Sequence, residues 1–316
     1  MRGKIRWLSI AVTLVIVIAL AIVAFSPPAM GLTRLVETGG SLLLPHDPAD
    51  IPQSVVEDAT SLATELFGDH QGKCEDFVNQ LLTIYSQVKD KDVMVIFNTG
   101  WWGNKPLDSL GDWESKSTPL ISGWESLLTG IESELAGRGY SSILLEHMRT
   151  DESLFSHIGE LGQYMTGYAA KAKDLAGKVE FITTHISDIM VILAGECHGA
   201  VLSDRVMSIL GDNPRVYSIQ NGPPFWHKNV VLDRTLLTTD NGMVPDTFSE
   251  GDFIPMAWGW LKYSLGLSQP VDYFGTPPHY VGAPGHDYWW QYPKVRSEIV
   301  NFLDEHFGVN GDESLV

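Results

Sequence analysis

From Asp92 onward, short apolar runs alternate with longer stretches whose apolar residues recur every three or four positions. The runs are VMVIF (93–97), SILLE (142–146), IMVILA (189–194), RVYSI (215–219) and TLLTT (235–239). Each is rich in β-branched and aliphatic residues and apolar on both faces, which predicts buried parallel strands. Residues 119–138 and 164–178 between them have helical period, as does residues 292–307 through Val295, Ile299, Phe302, Leu303 and Phe307. Strand and helix in alternation predict an α/β fold: a mainly parallel sheet, right-handed crossovers, helices on both faces. This unit is assigned to residues 91–310. Residues 248–280 break its rhythm with Phe253, Trp258, Trp260, Tyr263, Tyr273, Phe274 and Tyr280. They are read as an aromatic cap insertion.

Ahead of this unit, residues 31–90 are read as a linker with one short strand, then two helices packed on the main domain. Val55, Val56, Ala59, Leu62, Ala63, Leu66 and Phe67 have helical spacing, as do Phe77, Val78, Leu81, Leu82, Tyr85 and Val88. Residues 7–25, WLSIAVTLVIVIALAIVAF, carry no charge and are long enough for a helix to cross a bilayer. Residues 1–30 are therefore expected to be a cytoplasmic stub and a single transmembrane helix. Arg2, Lys4 and Arg6 precede the span and should stay cytoplasmic, which puts the domain outside. A signal peptide cleaved near Ala29-Met30-Gly31 is the alternative, and would give a secreted protein.

Charge narrows the partners. The formal net charge is −18, and with the three basic residues before the span set aside the remainder is more acidic still. Such a surface repels phosphate backbones, so no nucleic-acid partner is expected. The plainer reading of the acids is solubility. No zinc-ligand spacing, Walker loop or dinucleotide glycine motif occurs, so no metal or nucleotide cofactor is expected.

The chemistry centres on Gly195-Glu196-Cys197-His198-Gly199-Ala200, between the run IMVILA and the helical stretch VLSDRVMSILG. Strand, Gly-x-nucleophile-x-Gly, helix is the arrangement of a nucleophile elbow. The turn is so sharp that its neighbours at −2 and +2 must lack bulk. It lifts the side chain above the sheet, over a helix N-terminus that favours negative charge. The segment resembles the elbow of the α/β-hydrolase superfamily, with Cys in place of the usual Ser, as in dienelactone hydrolases and polyhydroxyalkanoate synthases. The resemblance covers roughly residues 92–308 and rests on motif order.

That resemblance implies an acid and then a histidine further along the chain. Asp240-Asn241-Gly242-Met243-Val244-Pro245 resembles the family's acid-bearing loop, displaced by one residue from the usual register. Asp240 is favoured as the acid, with Asp246 next; Asn241 is possible because a Cys–His pair can work with an Asn orienter. His286, in Pro284-Gly285-His286-Asp287 just before the last helix, takes the place of the family's general base. Asn98-Thr99-Gly100-Trp101 follows the first core strand and nominates Gly100 or Trp101, with His198, as backbone donors of an oxyanion hole.

The implied function is thiol-dependent acyl transfer to water, on an ester, thioester or lactone. The aromatic insertion suggests a small-molecule or lipid-like acyl substrate, although such rows more often simply pack. Two other classes compete. A caspase-like peptidase would pair Cys197 with His147, about fifty residues upstream. A non-catalytic hydrolase-fold binding protein would use neither. A Cys74–Cys197 disulfide would block the elbow altogether.

Overall fold

The computed structural model describes residues 34–37, 51–100, 120–149, 163, 167–264 and 285–308. The proposed membrane span, Trp101 and the later part of the aromatic insertion, 265–280, lie outside the described residues. Among those described, no helix is long and apolar enough to cross a membrane.

The fold is α/β. Strands β2 (Val93–Asn98), β3 (Ser142–Met148), β4 (Met190–Glu196), β5 (Val216–Asn221) and β6 (Thr235–Thr238) are parallel. Strand β1 (Arg34–Glu37) adds antiparallel to β3, giving the order β1-β3-β2-β4-β5-β6. Every predicted run forms a strand within one or two residues of its expected place.

Alternate side chains of each strand enter different cores. Met94 and Ile96 join Val191, Leu193 and Val216 on one face. There they pack under α1 (Gln53–Phe67), α2 (Gln71–Val88), α4 (Ala169–His185) and α5 (His198–Ile209). Val93, Val95 and Phe97 join Ile192, Ala194 and Ile219 on the other, under α3 (Leu120–Gly137) and α8 (Pro293–Phe307). All six β2 side chains are buried, which is why this run shows no polar alternation. Burying each such aliphatic side chain contributes roughly 1.5–3 kcal/mol.

Helices α1 and α2 are tied to each other and to α4. Phe67 meets Phe77 edge-on with ring centroids 5.3 Å apart, and the buried Lys178 of α4 lies 5.4 Å from the Phe77 ring centroid. Within the aromatic insertion, a one-turn helix α6 (Thr247–Glu250) leads to α7 (Phe253–Ser264). Parallel pairing aligns the carboxyl ends of β2 to β6 along one edge of the sheet. Asn98, Met148, Glu196 and Asn221 all end their strands there.

Candidate active site

The turn after β4 has the geometry its glycines predict. Cys197 sits at φ 51°, ψ −116°, one of two non-glycine residues with positive φ among those described. A residue with a Cβ holds such a conformation only when its surroundings impose it. Here the chain is clamped on both sides. A Cβ on Gly195 would lie 2.5 Å from the Gly199 carbonyl oxygen, and one on Gly199 would lie 1.8 Å from that of Asn98. Neither position admits a side chain. The Cys197 N–H donates to the Asn221 carbonyl at 2.9 Å, which ties the elbow to β5.

Helix α5 starts at His198, so this residue's N–H is among those the helix leaves without an intrahelical acceptor. Gly100 faces the same spot from the loop after β2: a Cβ there would be 3.4 Å from the Cys197 Cβ. Trp101, the other nominee for the hole, is outside the described residues.

The Gly100 loop is held by Asn98, His147, Arg149 and Ser203. Asn98 donates to the Ser203 hydroxyl at 2.8 Å and accepts from His147 Nδ1 at 2.7 Å. The Arg149 guanidinium donates to the Thr99 carbonyl at 2.5 Å. His147 thus binds Asn98, not Cys197. Burial, followed by the charges of Lys178, Arg149 and Lys171, holds its ring well below the ordinary imidazole value, so it is neutral.

His286 behaves in the opposite way. Its ring is buried, and its Nδ1 donates to Asp246 Oδ2 at 2.8 Å. Burial opposes protonation. The Asp246 carboxylate overcomes it, aided by the neighbouring Cys197, and raises the imidazole well above its ordinary value. The structure therefore brings Cys197, His286 and Asp246 together.

Asp246, the second choice from sequence, replaces the favoured Asp240 beside the histidine. Strand β6 ends at Thr238, and Asp240 then forms an isolated bridge with Pro245 that loops out residues 241–244. Asp240 is left on the near side of that loop, bonded to Lys294 and to the Gly242 N–H. Only beyond the loop does the chain reach His286. Asn241 does not meet the ring either. Its Oδ1 accepts from the N–H groups of Met243 and Val244, and its Nδ2 donates to both the carbonyl and the side chain of Asp287.

Asp246 is the N-cap of α6. Its Oδ1 accepts from the N–H groups of Phe248 and Ser249, and its Oδ2 from the Ser249 hydroxyl, Tyr288 and His286. Burial raises this carboxyl, but the His286 charge and these bonds outweigh it and hold it below the usual carboxylate range. Sequence held one signal for this role: an Asp directly after Pro and directly before a helical turn is a strong N-cap pattern. Tyr288, two residues past His286, gave none.

Gly285 has φ 78°, and a Cβ there would lie 2.3 Å from the Pro245 carbonyl oxygen. This close approach lets the histidine loop lie against the acid loop. Above the sulfur, Cys197 clusters with Phe248 and Met256, and its residue exposure is 9%. Both cysteines are free; Cys74 lies 3.5 Å from the Ala63 and Gly68 carbonyls. The disulfide alternative is thereby set aside.

No family model matches the chain, and no curated protein matches it. Among solved structures it is similar to a Trichoderma reesei cutinase in complex with a C11Y4 phosphonate inhibitor. The two are 13% identical with a TM-score of 0.35, over 64% of this chain and 82% of that one.

Proposed function

We propose that the chain is an α/β-hydrolase-like enzyme that cleaves an ester, thioester or lactone through a covalent acyl-cysteine. The single observation that carries this reading is the His286–Asp246 hydrogen bond beside the strained strand–helix turn that carries Cys197. A strained nucleophile position with a buried, carboxylate-oriented histidine is the pattern of covalent catalysis.

The chemistry divides into two steps. The Cys197 sulfur attacks the acyl carbonyl carbon and forms a C–S bond. The carbonyl oxygen takes up negative charge, which the N–H groups near His198 and Gly100 would stabilise. The tetrahedral intermediate collapses, and the imidazolium of His286 gives its proton to the departing alcohol or thiol. Water then attacks the acyl-cysteine, with neutral His286 taking its proton and returning it to the sulfur. Asp246 stays ionised and holds the ring through Nδ1.

The domain is proposed to work outside the cytoplasm, held by residues 7–25; the support is the uncharged length of that segment and the basic residues before it. The test of the chemistry is turnover of short-chain aryl esters and thioesters by the full chain. Cys197→Ala and His286→Ala are expected to lower turnover by roughly a thousandfold or more. His147→Ala and Asp240→Asn are expected to stay within a few-fold of the parent. Full activity in Cys197→Ala would refute the reading. Loss in His147→Ala with retention in His286→Ala would favour the peptidase geometry instead.

A further inference from the structure

Most of the large apolar residues exposed among the described residues lie on two segments. Phe225, Trp226, Val230 and Val231 lie on the β5–β6 connection; Phe253, Ile254, Trp258 and Leu261 lie on α7. The two segments join where the Phe225 and Phe253 rings meet edge-on at 5.2 Å. Scattered exposed apolar side chains need no explanation, but a contiguous group of this kind marks a surface that meets something apolar.

The group is held in place. The buried Asp204 of α5 accepts from His227 at 2.9 Å and from the Val230 N–H at 2.8 Å, which pins the connection to the core. It is also continuous with the candidate site. Trp226 packs on Phe225 at 4.6 Å and on Phe248 at 5.2 Å, and Phe248 packs on His286 at 4.8 Å. Helix α7 is apolar on two sides: Met256 packs inward with Cys197, while Ile254 is 81% exposed.

Chain direction indicates what covers this surface. Strand β1 is antiparallel, and its first residue, Arg34, pairs with Met148 at the carboxyl end of β3. The chain therefore enters the domain at the edge of the sheet that carries Cys197. Eight residues, 26–33, lie between Phe25, the end of the apolar segment, and Arg34. They reach at most about 30 Å when fully extended. A bilayer holding residues 7–25 would lie within that distance of Arg34, at the carboxyl end of the sheet. The excess of acidic residues disfavours an anionic membrane surface and is compatible with a neutral one.

We infer that Phe225, Trp226, Phe253, Ile254, Trp258 and Leu261 form a docking surface for a zwitterionic lipid bilayer, which presents acyl substrate to Cys197. Docking stands on the exposed rings and, through the chain direction, on the anchoring by residues 7–25 proposed above; the delivery of substrate rests on the proposed chemistry.

The experiment uses the full chain in phosphatidylcholine vesicles with and without brominated phosphatidylcholine, whose bromine atoms quench tryptophan in the acyl region. Subtracting Trp258→Phe from the parent isolates Trp258. The Trp258 signal is expected to fall at least twofold with the brominated lipid and to resist aqueous iodide. Phe253→Glu with Ile254→Glu should abolish that lipid quenching. The same pair should lower hydrolysis of a vesicle-embedded long-chain ester at least fivefold, with a soluble short-chain ester unaffected. Cys197→Ala should leave the quenching intact, which separates docking from catalysis. Quenching of Trp258 by iodide and not by the lipid would overturn the inference. Shielding from both would also overturn it: shielding that disappears on dilution in detergent would assign the surface to a second copy, and persistent shielding to another part of this chain.

Discussion

Asp246 concentrates the electrostatics of the site in one side chain. Its five hydrogen bonds come from three residues besides His286, so its charge is fixed in position before any substrate arrives. That charge is the main force raising His286 against burial. Asp246→Asn should therefore lower the histidine's pKa. Because a raised pKa keeps the imidazolium at higher pH, the alkaline limb of kcat/KM should move down by about one unit or more in the variant. A full pH–rate profile checks this; an unmoved limb would mean another group sets it. Asp287, next along, is shifted for the opposite reason. Burial raises its carboxyl from 3.8 to about 6, against hydrogen bonds from Tyr292 and Asn241 that lower it. Between these values the native chain binds more protons than the unfolded chain, so stability should fall as pH rises through that window, by on the order of 3 kcal/mol. Asp287→Asn should flatten this slope in urea titrations run at several pH values from 4 to 7.

At the scale of elements, the site is a set of strand ends and the loops that leave them. The elbow was legible because its requirement is steric and local: glycines at −2 and +2, a buried run before, a helix after. The strands were legible because burial on both faces removes polar alternation. The choice of acid was not, since Asp240 and Asp246 flank the same loop and only its three-dimensional path decides between them. The bridge from Asp240 to Pro245 turns the chain back, and Asp246 emerges beside the histidine. Asn241 makes that path rigid by capping the loop and clipping it to Asp287. Asn241→Ala would leave buried backbone groups without their partner and should cost roughly 1–3 kcal/mol in denaturant titration. It should also lower kcat more than it raises KM, because the histidine loop loses its clip. A variant as stable and as active as the parent would show that the loop holds its path without this residue.

For the whole molecule, the layered sheet gathers the candidate site along one edge. The carboxyl ends of β2, β4 and β5 contribute the Gly100 loop, the elbow and the Asn221 carbonyl that ties it down. The connections after β6 deliver Asp246 and His286. Open parallel sheets place ligand sites at this edge because strand ends there diverge into loops on opposite faces. The layers were readable from periodicity. The network of Asn98, His147, Arg149 and Ser203 behind the Gly100 loop was not, because its members are spread over more than a hundred residues and meet only across strands. Helices α1 and α2 pack in the layer that also holds α4 and α5 and complete its core.

The central claim is that Cys197 is a nucleophile activated by His286, and the rate of its alkylation by iodoacetamide tests this most directly. Peptide mapping after timed exposure at pH 6 to 9 follows Cys197 and Cys74 in the same sample. Cys197 is expected to react at least about tenfold faster than Cys74 at pH 6, and His286→Ala to remove this advantage while leaving Cys74 unchanged. Equal, slow labelling of both cysteines in the parent, or a Cys197 rate indifferent to His286→Ala, would contradict it.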